Sequence, residues 1–194
     1  MADRISTLEA ELVRHGANDA RRARRFHGLM AAALGLDEEQ WQPWEDELGH
    51  VCDVEQALSS LADLADAAPE TVRGMVADPH QVRRLVRVLG GSAELGKYLT
   101  AHPNALDVLA AEPEQWSAEQ IRTDLLSCVS AIEQDGFLVS QADPARGADE
   151  LRLANRRHLL RIAARDLSHD DPTEVLESVS VELADLADGV IESA

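Results

Sequence analysis

Apolar residues recur along this chain at intervals of three and four, with acidic and small residues between them. Leu58, Leu61, Leu64 and Ala65 form one stripe, and Val82, Leu85, Val86 and Leu89 a second. Ile121, Leu125, Cys128, Val129 and Ile132 form a third. Val175, Leu176, Val179, Leu183, Leu186, Val190 and Ile191 form the last. Each set falls on one face of an α-helix. Sustained alternation is missing. Phe137-Leu138-Val139 is the strand-like run, and it is too short to found a sheet.

The starts of the helices are written in their caps. Asp37 precedes Gln40, Asp53 precedes Gln56, and Ser117 precedes Gln120 by the spacing of a reciprocal capping box. Asp78-Pro79 and Asp171-Pro172 put an acidic cap before a proline at the first helical position, where its missing N–H costs nothing. These signals predict helices near 4–15, 19–34, 38–49, 54–67, 70–77, 79–90, 93–101, 103–110, 118–135, 148–168 and 172–193. The fold class is all-α, an irregular multi-helix bundle of about ten helices without a significant sheet. The longest break, 135–147, holds Gly136, Pro144 and Gly147. It is an ordered loop or a hinge, and it divides an N-terminal helical bundle, 1–135, from a C-terminal helix pair, 148–194. The last helical pattern runs to the final residue with no Gly or Pro stop signal. The expectation is a piece of a longer protein, whose catalytic groups lie elsewhere.

Composition narrows the partners. The net charge of −18 argues against nucleic acid and anionic membrane surfaces, which are bound through Lys and Arg. Aromatic residues are 3% of the chain, so Leu, Val, Ile and Ala must build the core. Cys52 and Cys128 show no motif spacing and read as free thiols. The start of the chain has no apolar signal stretch, and no apolar run is long enough to span a bilayer. The expected location is the cytoplasm.

The search for chemistry returns little. The seven histidines include no pair at i+3 or i+4. His169-Asp170-Asp171 reads as a loop whose last residue caps the next helix. Gly90-Gly91-Ser92 sits between two helices and lacks the P-loop lysine, so it reads as a C-cap followed by an N-cap. No D-x-D pair is present to hold the two magnesium ions of a nucleotidyltransferase. Glu45-Asp46-Glu47 lies on a helix, where alternate residues point apart. The basic residues are more suggestive. Arg157, Arg161 and Arg165 share one helix face, a candidate binding stripe for an anion or an acidic partner. The structural alternative, favoured because the two helices are sequential and antiparallel, is pairing with Glu174, Glu177, Glu182 and Asp185 of the following helix. Arg21, Arg22, Arg24 and Arg25 read as a solvated face, and Trp41 and Trp44 as anchors in the core.

Two blocks carry a family resemblance. The first is Leu151-Arg152, then Arg156-Arg157-His158-Leu159-Leu160-Arg161-Ile162-Ala163-Ala164-Arg165-Asp166-Leu167, then Val181-Glu182-Leu183-Ala184-Asp185-Leu186-Ala187-Asp188. The second is Leu89-Gly90-Gly91-Ser92-Ala93-Glu94-Leu95-Gly96, followed by Leu99-Thr100-Ala101-His102-Pro103. A weaker start is Leu12-Val13-Arg14-His15-Gly16, with Ala17 where an aromatic is usual. Together they resemble the bifunctional glutamine synthetase adenylyltransferase/adenylyl-removing enzymes of actinobacterial type. Glu182, where the family often has Ser, is a mild departure, expected at a helix surface.

The resemblance implies the N-terminal helical part of the adenylyl-removing half. The whole enzyme would add AMP from ATP, with magnesium, to a tyrosine of glutamine synthetase, and remove it by phosphorolysis. Glutamine synthetase, nitrogen-signalling proteins and the remainder of its own chain would be its partners. The family's metal motif, G-x-x-E-L-N-x-x-S-D-x-D, has no counterpart here. The resemblance therefore carries over no catalytic residue, no metal ligand and no cofactor site to this chain. The alternative reading is a stand-alone acidic helical protein-interaction module.

Overall fold

The computed structural model describes residues 2–194, with the backbone alone at 2–6 and at 38. The chain divides into two compact units, Met1–Glu112 and Pro113–Ala194. The sequence reading placed this division at 135–148. The difference is one helix: the segment that follows Ser117 packs on the C-terminal pair and completes a three-helix core.

The first unit holds α1 (Ala2–Arg14), α2 (Ala20–Leu34), α3 (Glu38–Leu48), α4 (Val54–Ala67), α5 (Pro69–Met75), α6 (Pro79–Gly91) and α7 (Ala93–Ala101), then a 3-10 turn at Pro103–Leu109. The expected caps are in place. Asp37 and Gln40 close a reciprocal box. Asp53 accepts the Gln56 N–H at 2.8 Å, but the Gln56 amide donates to the Leu89 carbonyl at 2.9 Å and ties α4 to α6 instead. Asp19 caps α2 by accepting the Arg22 N–H at 3.0 Å.

Helix α4 is the axis of this unit. It buries Val54, Ala57, Leu58, Leu61, Ala62, Leu64 and Ala65, and packs against α2, α6 and α7. A wide apolar stripe lets one helix serve three neighbours, and each fully buried Leu contributes about 1.5–3 kcal/mol. Close approach also needs small residues. A Cβ on Gly90 would meet the Val51 Cβ at 2.6 Å, which a rotamer change cannot relieve. Trp44 is buried and Trp41 packs on His27 with ring centroids 5.0 Å apart, so both tryptophans anchor the core.

The second unit holds α8 (Ala118–Cys128), strands β1 (Ile132–Gln134) and β2 (Phe137–Val139), α9 (Pro144–Ser168) and α10 (Pro172–Ser193). Ile121, Leu125, Val129, Leu151, Ile162, Val179 and Leu186 form its core. The helix expected over 118–135 stops at Cys128. Ser130 takes a left-handed backbone at φ 49°, the Ser130 N–H donates to the Ser127 carbonyl at 3.0 Å, and the Ala131 N–H donates to the Leu126 carbonyl at 3.0 Å. This is a Schellman ending with serine at the position glycine usually marks. Ile132 therefore leaves the helical stripe and starts a hairpin, which turns at Asp135-Gly136 with φ of 54° and 82°. Positive φ at both positions makes a type I′ turn. Helix α9 then begins at Pro144, four residues earlier than expected, because Asp143 accepts the N–H groups of Ala145 and Arg146, both at 3.1 Å.

Candidate functional site

The arginines of α9 sort by depth. Arg157 is exposed, whereas Arg161 and Arg165 turn toward α10 and meet Glu182, whose side chain is fully buried. Arg161 Nη1 donates to Glu182 Oε1 and Arg165 Nη2 to Oε2. The Trp116 backbone N–H adds a third bond to the carboxylate, donating to Oε1 at 3.0 Å. A buried carboxylate is tolerated only when paired and hydrogen-bonded, and Glu182 satisfies both conditions.

Further donors of both guanidinium groups are engaged, while Arg165 Nε is buried without a hydrogen-bond partner among the described residues. Arg161 Nη1 donates to the Glu114 carbonyl at 2.7 Å, and its guanidinium lies 4.7 Å from the centre of the Trp116 ring. Arg165 Nη1 donates to Ser178 Oγ at 2.9 Å, whose hydroxyl in turn donates to the Val175 carbonyl at 2.9 Å. The cluster thus joins α9, α10 and the 113–117 segment. Of the four acidic residues offered as partners for the stripe, Glu182 is the one that pairs with both Arg161 and Arg165.

His158 continues the network on the side of α8. Arg161 Nη2 lies 3.3 Å from His158 Nδ1, and His158 Nε2 lies 2.8 Å from Asp124 Oδ2. An arginine can only donate, so Nδ1 accepts and the ring proton sits on Nε2, donating to Asp124. Burial holds the His158 pKa below its ordinary value, against the opposing pull of the Asp124 carboxylate. The ring is neutral at pH 7.

Below the ordinary histidine value of about 6.5 the unfolded chain takes up a proton that the folded ring refuses. Stability from this group is complete above that pH, and is lost as pH falls toward the depressed folded value. Denaturant midpoints measured between pH 7.5 and 5 should fall more steeply for the parent chain than for His158→Gln. Parallel curves would remove His158 from the account.

The first unit repeats the device. Glu47 of α3 accepts Arg83 Nε at 3.0 Å and Arg87 Nε at 2.8 Å, both from α6. Buried Arg84 donates to the carbonyls of Leu109 at 2.8 Å and Ala110 at 3.4 Å. The basic residues of this helix are framework. Ser92 ends α6 and caps α7, accepting the Leu95 N–H at 3.3 Å. Asp171 caps α10 through the Thr173 N–H at 2.9 Å.

Among the described residues no three His, Cys, Asp or Glu side chains converge to hold a metal ion. Burial raises the Cys128 thiol pKa, with the charge of Asp124 adding to it, so the sulfur is poorly suited to nucleophilic work. Among the described residues no helix is long and apolar enough to cross a membrane.

The buried Arg161–Glu182–Arg165 cluster lies on the two helices that carry the most specific sequence block, and comparison with known proteins places that block. The family model described as glutamate-ammonia ligase adenylyltransferase matches residues 82–194. The bifunctional glutamine synthetase adenylyltransferase/adenylyl-removing enzyme of Cutibacterium acnes is 41% identical over 192 residues, which is 99% of this chain and 20% of that protein. Its counterpart in Bifidobacterium longum subsp. infantis is 33% identical over 95% of this chain and 18% of its own length. The Mycobacterium tuberculosis H37Rv enzyme of the same name is 29% identical over 86% of this chain and 17% of its own. The chain thus spans about a fifth of the length of these curated relatives. No solved structure matches it. With the match running through α6 to α10 and the likeness to full-length relatives covering nearly every residue, the chain belongs to the glutamate-ammonia ligase adenylyltransferase family.

Proposed function

We propose that these 194 residues act as the N-terminal helical framework of the adenylyl-removing half of an enzyme that reversibly adenylylates glutamine synthetase. The observation that supports this most is the state of the motif arginines: Arg161 and Arg165 converge on one buried glutamate, where they hold helices together. Donors of both engage Glu182, Glu114, Ser178 and His158, which supports a structural role for these two arginines over an open phosphate cradle. The whole enzyme uses ATP and magnesium for the forward transfer, with groups outside these residues.

In the reverse reaction inorganic phosphate attacks the phosphorus of the AMP–tyrosine ester. The P–O bond to the tyrosine breaks, and ADP and the free tyrosine hydroxyl result. The purified 194-residue protein, incubated with adenylylated glutamine synthetase and phosphate, should release no ADP above background. Release of ADP at an enzymatic rate, abolished by heat, would overturn the proposal.

A further inference from the structure

The β1–β2 hairpin stands apart from the rest of the second unit. All six strand residues are exposed, and the sheet has only these two strands, so both edges are open. Phe137 is 73% exposed and Ile132 49%. The register pairs Ile132 with Val139 and Gln134 with Phe137, which puts these four side chains on one face. Three of the four are apolar. An isolated two-stranded hairpin is marginal in water, and a sheet of this kind gains stability by acquiring further strands.

The backbone says how a strand would be added. The pair next to a two-residue turn exchanges hydrogen bonds, so Gln134 and Phe137 face each other's backbone and the next pair, Glu133 and Leu138, does not. The N–H and C=O of Glu133 and of Leu138 therefore point away from the hairpin, one set on each edge. Among the described residues neither set has a backbone partner outside the hairpin.

The two edges differ in charge. Pairing β1 with its own copy would oppose Glu133 with Glu133, in a protein already at −18. The β2 edge, Phe137-Leu138-Val139, is uncharged and matches itself. Placed antiparallel about a two-fold axis at Leu138, it sets Leu138 opposite Leu138 and Phe137 opposite Val139. The outward N–H of each Leu138 meets the outward carbonyl of the other. The apolar face of Ile132, Phe137 and Val139 then continues across a four-stranded sheet. This is an isologous contact, closed by the symmetry of a dimer.

We propose that the β2 edge of the hairpin is a self-association site, through which two copies of this chain pair strand to strand at Leu138. The net charge opposes association, so the contact strengthens as salt screens it, the reverse of an interface built on ion pairs.

Sedimentation equilibrium over a concentration series, at low and high salt, tests this on the protein as it is. The mass should rise from 21.1 kDa toward twice that value, and should rise further in high salt. Leu138→Lys, at an exposed side chain, should keep the circular dichroism spectrum and weaken association at least ten-fold. Ile191→Lys, the same change at a more exposed residue of α10, should associate as the parent does. Exchange of the Leu138 amide should slow with protein concentration. A monomer at every concentration and salt overturns the proposal, as does a Leu138→Lys protein that associates normally. So does a Leu138 amide protected only when glutamine synthetase is added, which would assign the edge to a strand of that protein.

Discussion

Replacing Glu182 with Ala should destabilise the second unit by about 3–5 kcal/mol, because the change leaves two arginines facing each other in the interior with no counter-charge. The cost is asymmetric. Forming a buried ion cluster gains little over an apolar one, since desolvation offsets the Coulombic attraction, whereas removing one member leaves the rest uncompensated. In a unit this small each kcal/mol moves the melting temperature by about 4–8 °C, so the shift should exceed ~10 °C.

The triple variant Arg161→Met, Arg165→Met, Glu182→Leu separates charge from fold. It removes every ion at once and should be more stable than Glu182→Ala alone. It should still fall short of the parent, because the Glu114 carbonyl and the Trp116 N–H lose their partners. An unsatisfied buried group costs about 1–3 kcal/mol. Denaturant unfolding followed by circular dichroism reads both variants. A Glu182→Ala midpoint equal to that of the parent would mean that the carboxylate is not buried between the arginines.

Leu125→Ala should cost about 2–5 kcal/mol, since Leu125 is fully buried where α8 meets α10 and its loss leaves a cavity. The residue across that crossing is Gly189, where an added Cβ would come within 2.8 Å of Leu125 Cδ1. The pair should therefore be coupled. Gly189→Ala in the parent gains helix propensity of about 1 kcal/mol but pushes on Leu125. With Leu125 already truncated, the same methyl enters free space and restores part of the loss. A double-mutant cycle on the denaturation free energies should show favourable coupling of about 0.5–3 kcal/mol, the range for residues in contact. Additive effects would show that the two helices do not cross at these residues.

These two sites also show what could be read from the chain. The stripe through Ile121 and Leu125 identified a buried helix face, because a 3.6-residue period projects one side chain per turn in the same direction. The caps at Asp37, Asp53, Ser117, Asp78 and Asp171 are local contacts, formed within three residues, and so were visible without knowledge of the fold. The acidic residue and proline at Asp143-Pro144 carry the same signal, and would have placed the start of α9 correctly. The end of α8 was not legible in the same way. Ser130 supplies a left-handed backbone that sequence rules expect from glycine, so the apolar run through Ile132 read as one helix.

The arginine stripe marks the limit more sharply. Spacing put Arg157, Arg161 and Arg165 on one face but could not rank them by depth. Only packing decides that Arg157 lies at the surface while its neighbours one and two turns on pack against buried Glu182. Nor does periodicity select Glu182 over Glu174, Glu177 or Asp185, because the choice depends on how far α9 slides along α10 before their apolar faces interlock. Helical identity, capping and the family block were thus determined by the sequence alone, since each depends on residues within a turn or two of one another. The division at Glu112–Pro113, the hairpin with open edges and the buried cluster were decided by tertiary structure, since each depends on which distant surfaces exclude water together.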